Sequence, residues 1–285
     1  VCHRRMTRGS MNSRLRWILP IPLLLFSAAV WLYVETENEV RVQILRAQEQ
    51  WRETDYMEAI EIYESVYQDY PKSQYAEEAL FEVGTIYYIN FYNADRALDY
   101  FRELVTQYPD SSLAPQAYLR LAEIHEVELT DLPQAIAYWS QTLALDITLE
   151  VRRQIYFKMG DAYFKLNQFD EAFQKFRMLM EDGSNDSLAE RARAQAGIIL
   201  QIQNQFEESV EYFNQVLEGP ECDDCRRTAR LGLIESYEFL GDLAKAIEVA
   251  KTIPTSEYSA KEREDLLKRL DNKARVYEPQ RFAGG

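Results

Sequence analysis

Two cysteines three residues apart, Cys222-Asp-Asp-Cys225, are the one place in this 285-residue chain where side-chain chemistry could be concentrated. Such a pair can close a local disulfide where the compartment is oxidising, remain as free thiols, or serve as a redox couple or half of a metal site. A thioredoxin-like couple wants a strand-helix-strand surround, and the flanking sequence reads as helix throughout. A zinc site wants two further soft or imidazole ligands. The third cysteine is Cys2 and the two histidines are His3 and His125, none of them near in sequence. A disulfide stapling the turn is the leading reading, and thiol chemistry is carried as the alternative.

No glycine-rich phosphate loop, His-Glu-x-x-His or serine elbow occurs. The acid pairs Glu77-Glu78 and Glu207-Glu208 read as solvated helix faces or first turns. The expectation is a protein that is not an enzyme, with no cofactor, no metal and no small-molecule substrate. Any function then has to come from a surface, so the elements that build the surface come next.

Between Tyr70-Pro71 and Tyr108-Pro109, apolar or small residues recur at spacings of three and four, first as Ala76, Ala79, Leu80, Val83, Gly84 and Tyr87 and then as Ala97, Phe101, Leu104 and Val105. Two amphipathic helices are implied, joined by the short turn Asn90-Phe91-Tyr92-Asn93. Ala97 opens the second helix, and its counterparts along the chain are Ala59, Ala135, Ala172, Ser209 and Ala246, at steps of 38, 38, 37, 37 and 37. Four residues after each stands a bulky side chain, Tyr63, Phe101, Trp139, Phe176 and Phe213; the last copy breaks the rule with Ala250. A small residue lets two helices approach closely and a large one a turn later fills the gap. Turn chemistry precedes the anchors in Thr54-Asp55, Thr130-Asp131, Asn167, Asn204 and Gly241-Asp242, residues that cap helices or tolerate left-handed backbone. His125 takes the place of Tyr87 and Tyr163 and reads as a packed core residue.

This pattern resembles the tetratricopeptide repeat, with a small residue, an aromatic and a proline at set offsets in a unit of about 34 residues. Gly84, Gly160 and Gly197 match the family's small position, Tyr87, Tyr163 and Tyr237 its aromatic, and Pro71 and Pro109 its closing proline; Ile147, Ser184 and Glu221 depart from it. Tyr-Pro-x-Ser-x-x-Ala-x-x-Ala occurs twice, from Tyr70 and from Tyr108. That version is similar to repeats of bacterial envelope proteins, including outer-membrane assembly lipoproteins and periplasmic coordinators of cell division.

The resemblance implies an all-α fold: a right-handed superhelix, or solenoid, of about six repeats over residues 35–254. It also implies a partner groove lined by recurrent positions of each first helix. Carried onto this chain these are Phe81, Thr85 and Tyr88; Leu119, Glu123 and Glu126; Phe157, Asp161 and Phe164; Ile198 and Gln201; and Leu231, Glu235 and Phe239. An aromatic and acidic lining suits a protein or peptide segment carrying apolar anchors with interspersed basic residues. Residues 255–277 read as a capping helix, starting near Glu257, because a solenoid must cover its last apolar face. Residues 278–285 read as a flexible tail.

At the other end, residues 1–16 form a basic leader with five arginines and no acid, and Trp17 to Val34 is uncharged over 18 residues. That makes ~27 Å of helix, close to a bilayer core. The basic flank and the acids Glu35, Glu37 and Glu39 orient it as a single-pass anchor with its amino terminus in the cytoplasm. Cleavage near Ala29, giving a secreted form, is the alternative. The chain carries 32 basic and 47 acidic residues. Removing the five leader arginines leaves 27 against 47, a formal −20, which disfavours nucleic acid. The expectation is a scaffold tied to a bacterial inner membrane, with its repeats in the periplasm, serving envelope assembly or maintenance.

Overall fold

The structure, a computed structural model, describes the backbone of residues 20–281 and the side chains of residues 24–276. The basic leader, residues 17–19 of the expected span and the last four residues of the expected tail lie outside it. The described residues are helical, without strands, in two compact units. The first, ending at Leu129, holds α1 (Pro20–Arg52), α2 (Tyr56–Asp69), α3 (Ala76–Ile89), α4 (Ala94–Gln107) and α5 (Ala114–Val127). The second, from Thr130, holds α6 (Leu132–Leu143), α7 (Leu149–Lys165), α8 (Phe169–Met180), α9 (Ser187–Ile202), α10 (Phe206–Glu218), α11 (Asp223–Phe239), α12 (Leu243–Thr252) and α13 (Ala260–Arg281).

All six anchors, from Ala59 to Ala246, have no exposed surface, and the five bulky partners from Tyr63 to Phe213 are at most 1 % exposed. In the first unit a Cβ on Gly84 (α3) would come within 2.9 Å of the Phe101 ring on α4. In the second, a Cβ on Gly160 would meet Phe176 at 2.6 Å. Phe213 is gripped from two sides, since a Cβ on Gly197 (α9) or on Gly232 (α11) would meet opposite edges of its ring at 2.6 and 2.3 Å. Ser209, the one anchor that is not alanine, has its Oγ 2.7 Å from Ser236 Oγ, and Gln201 Nε2 donates to Ser236 Oγ and to the Gly232 carbonyl, each at 2.9 Å. The hydroxyl is tolerated because its partners are built in.

The turn residue five positions before each anchor has left-handed backbone: Thr54, Tyr92, Thr130, Asn167, Asn204 and Gly241, with φ between 50° and 73°. One position later Asp55, Asn93, Asp131 and Asp242 each accept a hydrogen bond from the backbone N–H three residues on. Such a cap is worth about 1 kcal/mol. Pro133 sits in the first turn of α6, where its missing N–H costs nothing.

The loops that follow four of the hairpins are tied down by polar side chains of the preceding first helix. Ser73 Oγ donates to Glu37 Oε2 at 2.9 Å and Ser111 Oγ to Glu77 Oε2 at 2.5 Å. Each serine also accepts a backbone N–H, from Tyr75 and Leu113. The Tyr108 hydroxyl donates to the Pro71 carbonyl at 2.9 Å. In the second unit, buried Arg153 donates from Nε to Asp182 at 2.5 Å and from both terminal nitrogens to Asp186 at 2.6 and 2.9 Å, while Asp186 also caps α9. Glu190 lies fully buried against Gly219 and pairs with Arg193, and Arg230 pairs with Glu257.

Two expectations change. No helix end separates an anchor from the first repeat: residues 23–52 contain neither glycine nor proline, and α1 runs unbroken from exposed Leu24, Phe26 and Trp31 to buried Val40, Ile44 and Ala47. Among the described residues no helix is long and apolar enough to cross a membrane. The terminal helix begins at Ala260, not near Glu257, because Glu257 is held by Arg230 and Ser259 forms a reciprocal cap with Glu262. It buries Leu270 against Ala250 and Ile253, so α13 supplies the bulk that a ring supplies in the other repeats. Arg269 and Lys273 pin it to Glu238 on α11.

Arg153→Leu would strand Asp182 and Asp186 in a half-buried loop at a cost of about 3–5 kcal/mol, read as a lower urea midpoint for the second unit at pH 7. Hydrogen bonding to Arg153 holds the Asp186 carboxyl at about 2, below its ordinary 3.8. Its contribution is therefore complete above 3.8 and lost as pH falls through about 2, so the deficit of the variant shrinks in acid.

Candidate partner-binding faces

In the first unit the expected face is carried by α3 and α5. Phe81 is half-buried with its ring centroid 5.5 Å from that of Phe101, and Thr85 is buried with its hydroxyl donating to the Phe81 carbonyl. Both are largely used in packing. Tyr88, Leu119, Glu123 and Glu126 are half-buried and reach solvent. Tyr88 is brought close to acids of α5 and its C-terminal cap: burial first, then Glu123 and Glu128, pushes its phenol up. Glu123 is held by Arg120 at 2.7 Å. Beside them Tyr88, Ile89, Tyr92, Ala94 and Glu128 line an open cavity of about 300 Å³. Tyr92 is 88 % exposed and carries φ 53°, unusual for an aromatic.

In the second unit Phe157 is buried, edge-on to Phe176 and covered by the Arg191 guanidinium 4.3 Å from its ring centre. Gln201 spends its amide on Gly232 and Ser236. Asp161, Phe164, Ile198 and Leu231 are half-buried, and Glu235 is exposed. Phe164 meets Phe169 edge-on, and Phe239, 65 % exposed, stacks on Phe206 at 4.4 Å. The available face is thus narrower than the sequence alignment implies: Thr85, Phe157 and Gln201 serve the repeat itself.

A second site in the first unit falls on residues that the sequence reading passed over. Gln48, Trp51, Arg52, Tyr63 and Glu82 line an open cavity of about 390 Å³ between α1, α2 and α3. The signal was present: with Ala47 in the place of Gly84, Gln48 corresponds to Thr85 and Trp51 to Tyr88. Gln48 Nε2 donates to Glu78 Oε1 at 3.1 Å, and the Trp51 indole N–H donates to Asn90 Oδ1 at 3.1 Å. The Tyr63 hydroxyl is fully buried without a hydrogen-bond partner. Burial, then the neighbouring Glu78, pushes the Glu82 carboxyl up to about 7. Burial, then Glu82 and Glu78, raises the Tyr63 phenol, with Arg52 opposing.

Cys222 and Cys225 are joined in a disulfide at the start of α11, with Cα atoms 5.3 Å apart. Cys225 is buried with Phe213, Val216 and Leu233. His125 is buried, with Nε2 3.4 Å from Arg102 Nη2. Among the described residues no group of three or more His, Cys, Asp or Glu could hold a metal ion.

Paired antiparallel helices with an aromatic of the second helix seated on a small residue of the first define a helical-hairpin repeat protein. A tetratricopeptide-repeat family model matches residues 44–112 and 124–187, and the chain belongs to that family. No curated protein matches it. Among solved structures, a tetratricopeptide repeat protein from Parabacteroides merdae is 16 % identical, with 82 % of this chain and 99 % of that one covered and a TM-score of 0.50. YrrB, described as a TPR protein with an unusual peptide-binding site, is 17 % identical over 75 % of this chain and 97 % of its own, with a TM-score of 0.51. PilW, a type IV pilus biogenesis factor, is 19 % identical over 80 % and 98 %, at 0.46.

A carboxyl raised from its ordinary 4.5 to about 7 makes the folded state bind the extra proton in that window, so stability falls as pH rises through it. Glu82→Gln removes this loss. Its Tm should match the parent at pH 4 and exceed it at pH 8 by on the order of 2–4 °C, as read by circular dichroism.

Proposed function

We propose that this chain is a non-catalytic scaffold that binds a protein partner along the solvent-facing side of its first helices. The observation that carries this reading is the pair of open cavities beside Trp51 and Tyr88, equivalent positions in successive repeats, each combining aromatic and acidic groups. Apolar anchors supply affinity in such a face, and acids select for positive charge. YrrB is a fold neighbour described as peptide-binding, which fits the same use of a repeat face.

The scaffold is held at a bacterial inner membrane by residues 17–34, with the repeats in the periplasm, where it serves envelope assembly or maintenance. Supporting this are the exposed apolar run from Leu24 to Val34 and the arginines before it. Because α1 continues without a break into the first hairpin, the six residues from Val34 to Val40 would place the first repeat ~9 Å from the end of the apolar run. No flexible tether intervenes.

Photo-crosslinking in native cells tests the binding reading, with the probe at Tyr88 or Phe164 and a control at exposed Thr106 on α4. A discrete partner captured from Tyr88 or Phe164 and not from Thr106 is expected. Identical diffuse products from all three positions would overturn the reading.

A further inference from the structure

We propose that the cavity between α1, α2 and α3 is a subsite for one cationic side chain, lysine or arginine, of the protein partner; this rests on the scaffold reading. Two groups at this site are left unsatisfied by the chain itself. Glu82 forms no hydrogen bond or ion pair among the described residues, and the Tyr63 hydroxyl is fully buried with no partner. Glu82 is half-buried and faces a second carboxylate, Glu78, already engaged by Gln48.

Three classes of occupant can be compared. An apolar side chain would exclude water from the Glu82 carboxylate and leave it unpaired, which is penalised as the burial of an uncompensated charge. An anion would meet Glu82 and Glu78 together, and the one cation lining the cavity, Arg52, is an exposed side chain at the helix end. An ammonium or guanidinium donates to the Glu82 carboxylate in a charge-assisted hydrogen bond, and its charge offsets Glu78. Trp51, held by Asn90, adds an aromatic partner of the kind that attracts cations. The strongly acidic surface beyond the leader favours the approach of basic segments.

The test uses the full chain in detergent micelles, labelled with 5-fluorotryptophan, the Trp51 resonance being assigned by its loss in Trp51→Phe. The probes are three capped pentapeptides, Ser-Gly-X-Gly-Ser, with lysine, norleucine or aspartate at X. The lysine peptide is expected to move the Trp51 resonance saturably, with the norleucine and aspartate peptides at least tenfold weaker. Glu82→Gln should erase that preference while keeping the helical circular dichroism of the parent. Equal binding of the norleucine peptide, preference for aspartate, unchanged lysine preference in Glu82→Gln, or no shift with any peptide would overturn the proposal. Crosslinking from Tyr88 and Phe164 reports on the scaffold reading separately: a captured partner with no lysine preference leaves the face standing without this subsite. Lysine preference without a captured partner leaves the subsite and removes the scaffold.

Discussion

An aromatic ring laid on bare helix backbone is the contact from which the rest of this structure follows. Gly84 under Phe101, Gly160 under Phe176, and Gly197 and Gly232 around Phe213 leave no room for even one added carbon. The glycines cost helix propensity, about 1 kcal/mol each, and close ring-to-backbone packing returns more. Where a repeat lacks the ring, as at Ala250, another element fills the space, and α13 does so with Leu270. The anchors can remain alanine or serine only because the partner helix comes this close.

With the rings of the second helices buried, the polar work falls to the first helices. In four of the repeats one side chain of the first helix reaches the following loop: Glu37 to Ser73, Glu77 to Ser111, Arg153 to Asp182 and Asp186, Arg230 to Glu257. These tethers set where each next helix begins. The residues left over, a turn or more further along, are those that line cavities and reach solvent. In this sense Trp51, Tyr88 and Phe164 are available because other positions on the same helices are committed to the fold.

Much of this was legible in the sequence. The 37–38 residue spacing marked every buried anchor and ring, because volume constraints act at fixed helical offsets and leave a compositional trace. Turn chemistry was also visible, although it took the structure to separate the left-handed residue from the cap one position later. Tyr92 was hidden because an aromatic is not the expected occupant of a left-handed position. The site was less legible. Phe157 and Gln201 occupy face positions by count, but whether a side chain turns outward depends on neighbours such as Arg191 and Ser236, which no spacing encodes. The cavity at Trp51 stayed hidden because the face positions were carried onto the later repeats only, beginning at Phe81, and not onto α1. The arginine tether at Arg153 was invisible for a similar reason: its partners lie 29 and 33 residues on, without a motif.

The most direct test of the ring-on-backbone account is a double-mutant cycle of Gly160→Ala and Phe176→Leu, read by urea denaturation. Alanine is the better helix former, so propensity alone predicts that Gly160→Ala stabilises by about 1 kcal/mol. The account predicts the opposite in the parent, a loss of roughly 1–3 kcal/mol from overpacking, and a sign change to stabilisation when Phe176 is already leucine. Stabilisation by Gly160→Ala in the presence of the intact phenylalanine would contradict it.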